Sequence, residues 1–179
     1  GGDWKSTLRA QAMAARAVML RHPWARRALE DTGTTGPASL DYIESLPFET
    51  AAIPGWPDLM HHKYVVRDRA AVWTGSANWT DDSWARQENV VVTVDSAELA
   101  AAFTLDFEGL WSDGDVEKSG FVEPRPVQVD GTKVRPWFTP GFADALTARI
   151  AKKIGHAERV RVCSPVITSA PVLGTLAQL

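Results

Sequence analysis

The spacing of apolar residues predicts a helical opening to the chain. Apolar side chains recur at helical intervals over residues 5–21, and again at every third position over residues 40–46. Pro23 and the Gly-containing run at residues 32–37 separate these two stretches. We therefore expect residues 1–47 to form a helical N-terminal segment.

After Pro47 the pattern changes to short apolar runs rich in β-branched residues, which is typical of strands. Such runs occur at residues 51–53, 64–66, 70–73 and 90–94. The last of them is almost entirely apolar, which predicts a strand that is covered on both faces. Together these runs predict a sheet at the centre of the middle region.

A long helix is expected after the last of these strands. Asp95 and Glu98 stand three residues apart in the manner of a capping box. The apolar residues that come next lie on one helical stripe, which would pack on the sheet. These residues are Leu99, Phe103, Phe107, Leu110 and Trp111. Strands followed by a helix of this kind predict an α/β fold, with a mixed sheet flanked by helices.

A polar connector containing Gly and Pro separates the middle region from a third one. Beyond it the periodicity predicts a helix at residues 143–154, a strand at 159–163 and a further helix at 172–179. We expect residues 48–120 to form one lobe, and residues 121–179 to begin a second α/β lobe.

The composition fits a folded chain and narrows the classes of function. The 179 residues are 45% hydrophobic and 23% charged, and no apolar run is long enough to predict a transmembrane segment. The single cysteine, Cys163, cannot close an internal disulfide, and no Cys/His cluster has the spacing of a zinc site. We therefore expect neither a metal nor a cofactor. Residues 81–117 carry ten acidic residues against Arg86 alone, which disfavours non-specific binding to duplex nucleic acid.

The candidate chemistry lies in one short stretch, residues 61–78. Two residues apart in a strand, His61 and Lys63 point to the same face and can meet one anion. After a turn at Gly75, the Ser76 hydroxyl and the Asn78 amide would reach the same place as neutral donors. Lys63 would supply the positive charge that a phosphodiester and its more negative transition state require.

The His61 imidazole is the candidate nucleophile, because a neutral ring nitrogen has a free lone pair near neutral pH. Its other nitrogen needs an acceptor, and Glu88, just ahead of the strand at 90–94, is the best candidate. Asp68 is the acid of the motif and stands at a strand end, where we expect it to fix the turn. The neighbouring His62 would face the other side of the strand and is expected to be structural.

The pattern HxK(x)4D(x)6GSxN resembles, position for position, the signature of the phospholipase D superfamily, and the likeness covers roughly residues 48–179. This resemblance implies a phosphodiesterase or transphosphatidylase in which two such motifs form one site. One histidine attacks phosphorus and becomes phosphorylated, the other protonates the leaving oxygen, and no metal is required. The residues to which it assigns catalytic roles are His61, Lys63, Asp68 and Glu88. Those to which it assigns substrate binding are Gly75, Ser76 and Asn78.

A second copy of the motif is missing from the chain. After residue 78 the only histidine is His156, which is followed by Ala157 and Glu158. We therefore expect the second motif from a missing C-terminal half, or from a homodimer that supplies His61 twice, and we predict that the monomer alone is inactive. The substrate would be a phosphodiester, and phospholipids, nucleic acids and small phosphodiesters all stay open.

A non-catalytic ligand-binding or regulatory module is the alternative from another class. The helix after Trp4, the run His22-Pro23-Trp24 and the pair Gly36-Pro37 resemble the ligand-binding region of tetracycline-repressor-type regulators. This alternative predicts binding of small apolar ligands without hydrolysis.

Overall fold

The structure is a computed structural model that describes residues 47–53 and 58–179. The helices predicted at residues 5–21 and 40–46 lie outside the described residues. The chain divides into two compact units, residues 1–55 and 56–179, and the second holds the elements described below. The strand predicted at residues 51–53 is wrong, because this stretch has no regular structure and pairs with no described strand.

A three-stranded antiparallel sheet forms the centre of the second unit. Its strands are β1 (Tyr64–Arg67), β2 (Ala71–Gly75) and β3 (Val91–Asp95), and they lie in that order across the sheet. The strands predicted near these positions are therefore confirmed. The β1–β2 turn places Asp68 and Arg69 at φ 52° and 54°, which is the left-handed geometry of tight hairpin turns.

The sheet differs from the sequence prediction in the surroundings of β3. Val91 and Val92 are each 48% exposed, and among the described strands β3 pairs only with β2. The prediction that this strand is covered on both faces is wrong for the described residues. A continuous apolar run is typical of a buried central strand, but here it lies at the edge of a small sheet.

Helix α1 (Asp81–Ala85) is short, and helix α2 (Ala97–Asp113) is the long helix predicted after β3. The Leu99 N–H donates to the Ser96 side chain at 3.2 Å, so Ser96 is the N-cap. The predicted Asp95–Glu98 capping box is wrong by one residue, because Asp95 still belongs to β3.

The apolar stripe of α2 is narrower than predicted. Leu99, Phe103 and Leu110 are buried, whereas Phe107 and Trp111 are exposed and stack on each other with ring centroids 5.6 Å apart. At about 100° per residue, Phe107 and Trp111 lie about 80° and 120° around the helix from Leu99. They therefore turn away from the sheet.

A two-stranded antiparallel hairpin follows, with strands β4 (Val127–Val129) and β5 (Thr132–Val134). The core combines residues from the sheet, from α2 and from this later region. Its buried members are Val72, Leu99, Ala100, Phe103, Val127 and Phe138. The hairpin and the segment after it thus pack on the three-stranded sheet, while the lobe boundaries at residues 47 and 120 stay predictions.

Two helices end the described chain, α3 (Ala143–Gly155) and α4 (Ala170–Leu176), and both were predicted. The strand predicted at residues 159–163 is wrong, because these residues have no regular structure and no described strand pairs with them. The α/β fold class is confirmed, with helices around two small antiparallel sheets. Over the described ranges, no helix is long and apolar enough to cross a membrane.

Candidate functional site

The structure brings the two halves of the motif together at one end of the β1–β2 hairpin. His61 and Lys63 lie in the extended segment that leads into β1, and Gly75 is the last residue of β2. The Gly75 N–H donates to the Lys63 carbonyl at 3.3 Å. The two segments of the motif are therefore joined by a backbone hydrogen bond at this end of the hairpin.

Gly75 has a steric reason to be glycine. A Cβ atom at this position would overlap with the carbonyl oxygen of Val90, just before β3. The Ser76 N–H donates to that same carbonyl oxygen at 3.0 Å. The close approach of β2 to the start of β3 thus fixes where the Ser76–Asn78 turn begins.

A cleft of about 390 Å³ opens beside this hairpin end. Three predicted site residues, His61, Lys63 and Gly75, are among the residues that line it. Its other walls come from β3, α2 and the segment after β5, and they include Val94, Phe103, Arg135, Trp137 and Phe138. The other four predicted site residues, which are Asp68, Ser76, Asn78 and Glu88, do not line this cleft.

Lys63 is the half-buried cation of the cleft. Its Nζ donates to the carbonyl oxygen of His61 at 2.7 Å, which holds the side chain back over its own segment. Partial burial removes water from the ammonium group and lowers the pKa of Lys63 below its usual value. Since an ammonium group has three N–H donors, two remain for an anion in the cleft.

The Ser76 hydroxyl both donates and accepts a hydrogen bond within the protein. It donates to Asn89 Oδ1 at 2.9 Å, and it accepts from the Val90 N–H at 3.1 Å. A serine hydroxyl has one hydrogen to donate. In this arrangement Ser76 ties the turn to the residues ahead of β3, and its hydrogen is not available to a substrate.

Asn89 is a residue that the sequence analysis did not single out. Its amide nitrogen donates to the carbonyl oxygens of Ser83 at 2.9 Å and of Gln87 at 3.2 Å, while its oxygen accepts from Ser76. One side chain thereby connects α1, the loop after it and the motif turn. The sequence places Asn89 next to Glu88, outside the positions that the motif fixes.

The remaining predicted residues lie at exposed positions. Asn78 is exposed, and no described residue forms a hydrogen bond with its amide. Glu88 is exposed in the loop that leads into β3. Asp68 lies in the β1–β2 turn with its carboxylate 3.8 Å from Arg67 Nε. Four residues, the whole of β1, lie between Lys63 and Asp68, and at about 3.3 Å per residue these five steps along the chain span roughly 16 Å.

A buried carboxylate lies beneath the motif strand, and the sequence analysis missed it. Asp106 in α2 is 3% exposed, accepts from the Tyr64 hydroxyl at 2.9 Å and lies 3.2 Å from His62 Nδ1. Burial, and then the Asp106 carboxylate, raise the pKa of the Tyr64 phenol well above its usual value. His62 contacts this buried carboxylate, but it also lines the cleft that His61 and Lys63 line, so the prediction that it faces away from them is wrong.

Asp106 could have been found by periodicity. It follows Leu99 by seven residues, which places it about 20° from Leu99 around the helix and on the buried stripe. An acidic residue at such a position requires partners in the interior. No group of three or more His, Cys, Asp or Glu side chains within the described residues could hold a metal ion.

Two of three comparisons relate this chain to known proteins. The family described as "Cardiolipin synthase, PLD-like domain" matches residues 22–111, about half of the chain. The match begins upstream of residue 47, so it includes part of the segment predicted to be a helical N-terminal one. No solved structure matches the chain.

Several curated relatives share one description. The chain is 32% identical over 90 residues to the mitochondrial cardiolipin hydrolase of Homo sapiens, covering 45% of this chain and 35% of the relative. It is 40% identical over 57 residues to that of Xenopus laevis, covering 31% of this chain and 27% of the relative. The chain thus spans about a third or less of these relatives. On the strength of the family match, the chain belongs to the cardiolipin synthase-type, phospholipase D-like domain family.

Proposed function

We propose that this chain supplies one half of a phospholipase D-type active site that cleaves phosphodiesters through a phosphohistidine at His61. The observation that carries the proposal is the shared cleft, because His61, Lys63 and Gly75 line one concave site of about 390 Å³. A site that combines a candidate nucleophile with a cation suits a phosphoryl group better than a neutral substrate.

The reaction proceeds in two displacements. The lone pair of a neutral His61 ring nitrogen attacks phosphorus, an N–P bond forms, and the P–O bond to the leaving alcohol breaks. Water then attacks the phosphohistidine and gives its proton to the second histidine, which lost its own to the leaving oxygen; the N–P bond breaks and the His61 imidazole is regenerated. An alcohol in place of water gives transphosphatidylation. Lys63 stabilises the extra negative charge on the phosphoryl oxygens in both transition states.

The motif gives roles to two further residues, which do not line the cleft. Glu88 would orient the imidazole from the loop ahead of β3, and the exposed Asn78 amide would donate to a phosphoryl oxygen. Ser76, whose hydrogen goes to Asn89, holds the turn that presents Asn78. Asp68 acts on the hairpin turn and not on the substrate.

A second histidine must protonate the leaving oxygen. The sequence after residue 78 contains only His156, without the x-Lys pair behind it. The second motif therefore comes from a further segment of polypeptide or from a second copy of this chain that contributes its own His61. The phosphodiester is that of a phospholipid, in line with the lipid named in the descriptions of the family and of the relatives.

The test compares two histidine variants of the active assembly. Hydrolysis of phospholipid vesicles and of a chromogenic phosphodiester should persist in the presence of a chelator and disappear in His61→Ala. The matched control is His156→Ala, because His156 is exposed after α3 and lines no part of the cleft.

A second measurement reports the intermediate directly. Rapid quenching in base after reaction with the chromogenic phosphodiester, followed by mass spectrometry, should place on His61 the phosphoryl group that still carries the second ester substituent, since the N–P bond of a phosphohistidine survives base. Hydrolysis that survives His61→Ala, or a phosphoryl group on another residue, would contradict the proposal.

A further inference from the structure

The segment that carries His61 and Lys63 has few backbone hydrogen bonds of its own. Residues 61–63 precede β1 and belong to no strand. Among the described residues, the backbone hydrogen bond that these three positions form is the one from the Gly75 N–H to the Lys63 carbonyl, at 3.3 Å. A segment held by so few backbone bonds opens locally at low cost, so it needs side-chain contacts to keep one orientation.

Asp106 supplies such contacts from the buried stripe of α2. Its Oδ2 atom accepts from the Tyr64 hydroxyl at 2.9 Å and lies 3.2 Å from His62 Nδ1. His62 and Tyr64 are the sequence neighbours of Lys63 on either side, and both line the cleft. One oxygen of a buried carboxylate thus contacts the segment at two positions that flank the cation of the site.

The burial of this network favours its internal contacts. Within the described residues, His62 Nδ1 and Asp106 Oδ1 are buried without a hydrogen-bond partner. An unpaired buried polar atom is costly, so a small rotation that aligns a His62 Nδ1–H with the Asp106 carboxylate is favourable. Burial and the nearby carboxylate raise the pKa of the Tyr64 phenol, which therefore keeps its hydrogen and stays a donor.

Helix α2 gives Asp106 a fixed support. The helix is capped by Ser96, and its residues Leu99 and Phe103 belong to the core. The Tyr64 ring lies against Phe103, with ring centroids 5.0 Å apart. A side chain that is held by a packed helix can hold a neighbouring segment in turn, which a side chain on a loop does less well.

We propose that Asp106 is a positioning residue of the phosphoryl-transfer site, which holds His62 and Tyr64 and so sets the direction in which His61 and Lys63 meet the phosphoryl group. This inference rests on the proposed function and deepens it, because it makes the geometry of the nucleophile depend on a residue outside the motif. Asp106 lines no part of the cleft and acts through its two contacts. A misplacement of about 1 Å at a reacting atom can cost about 100-fold in rate, so the effect belongs in kcat.

The kinetic test compares two Asp106 variants in the active assembly. Asp106→Leu keeps a similar volume and removes the acceptor, so kcat should fall about 30-fold while KM stays within about twofold. Asp106→Asn keeps an amide oxygen that can accept from both partners, so it should restore kcat to within about fivefold of the unmodified protein.

Val127→Ala is the matched control for lost stability. Val127 is 4% exposed in the same core and does not line the cleft. Its unfolding temperature should fall, yet kcat should stay within about twofold at a temperature at which the variants are folded. If Asp106→Leu does not fold, Tyr64→Phe takes its place, because it removes one of the two contacts and keeps the ring. In that variant kcat should fall about fivefold.

A second measurement on the full chain does not use turnover. Nitrogen-15 NMR spectra of the histidine rings at pH 8 report which ring nitrogen carries the hydrogen. In the unmodified protein and in Asp106→Asn, His62 should carry it on Nδ1. In Asp106→Leu both tautomers of His62 should appear, and the His61 ring signals should broaden because the segment samples several orientations.

Failure of this inference is distinguishable from failure of the proposed function. If Asp106→Leu, or Tyr64→Phe in its place, matches Val127→Ala in kcat, or if the loss of Asp106 leaves both histidine signals unchanged, the positioning role is overturned, whatever hydrolysis shows for His61→Ala. If the signals of His61 and His62 depend on Asp106 while hydrolysis persists in His61→Ala, Asp106 does orient the segment and the catalytic proposal fails.

Discussion

The two ends of the β1–β2 hairpin differ in their relation to the cleft, although one sequence motif runs through both. At one end, His61 and Lys63 line the cleft, and the Gly75 N–H donates to the Lys63 carbonyl. At the other end, Asp68 lies exposed in a left-handed turn. Fixed spacing within a motif therefore does not require that its members share one site.

The largest effect should come from the cleft end. Lys63→Met removes the charge that offsets the phosphoryl transition state, so kcat/KM for a phosphodiester should fall about 10²-fold or more in the active assembly. Steady-state kinetics on a chromogenic phosphodiester provide the measurement. Lys133→Met is the matched control and should keep full activity, because Lys133 does not line the cleft. If kcat/KM falls equally in Lys63→Met and Lys133→Met, the position of Lys63 in the cleft is not what matters for activity.

The same lysine should set an alkaline limit on activity. Burial lowers the pKa of Lys63, so the ammonium group loses its proton at a lower pH than an ordinary lysine. Above that pKa, kcat/KM should fall about tenfold per pH unit, because only the charged form stabilises the phosphoryl group. In Lys63→Arg the alkaline fall should move to higher pH, since a guanidinium keeps its charge. An unchanged profile would show that another group controls it.

Loss of the Asn89 hydrogen bonds that hold the motif turn should have an intermediate effect on stability and activity. Asn89→Ala removes the acceptor of Ser76 and two donors to backbone carbonyls. We expect unfolding free energy to fall by about 1–2 kcal/mol and kcat/KM by about tenfold, because the turn loses its position. Chemical denaturation and kinetics measure the two effects. The control is Gln128→Ala, which removes an exposed amide on β4 and should change neither stability nor kcat/KM. If Asn89→Ala is as stable as the unmodified protein, Asn89 does not hold the motif turn.

The smallest effect should come from the turn end of the hairpin. Asp68→Asn keeps a side chain that tolerates the left-handed backbone, so stability should stay within about 0.5 kcal/mol and kcat/KM within about twofold. Asp68→Ala should cost about 1 kcal/mol, because alanine is disfavoured at positive φ. Thermal unfolding and kinetics separate the two variants. A loss in Asp68→Asn close to that in Lys63→Met would place Asp68 in the catalytic machinery.

The sequence was a good guide where local periodicity decides structure. Residues 64–66, 90–94 and 143–154 gave the right elements because side-chain alternation and helical spacing are local properties. The sequence was a poor guide where contact with a distant part of the chain determines whether a segment forms a strand. The alternating polar and apolar run at 159–163 forms no strand, because β-propensity without a paired neighbour does not create one.

The same distinction between local and distant contacts applies to the candidate site. The pairing of the Lys63 segment with Gly75 could be predicted from motif spacing and turn chemistry. The engagement of Ser76 by Asn89 could not, since it depends on how the loop between α1 and β3 folds back. Arg135 could not be predicted either, because a hairpin more than fifty residues after the motif brings it to the cleft.

Gly75 matters because it has no side chain. A residue with no side chain has no chemistry to offer a phosphate, yet it permits the contact on which the adjoining turn depends. A single added methyl group would separate two neighbouring strands and displace the turn that carries Asn78. The identity of this position is thus determined by exclusion of volume, and a substitution here would act on catalysis through the backbone alone.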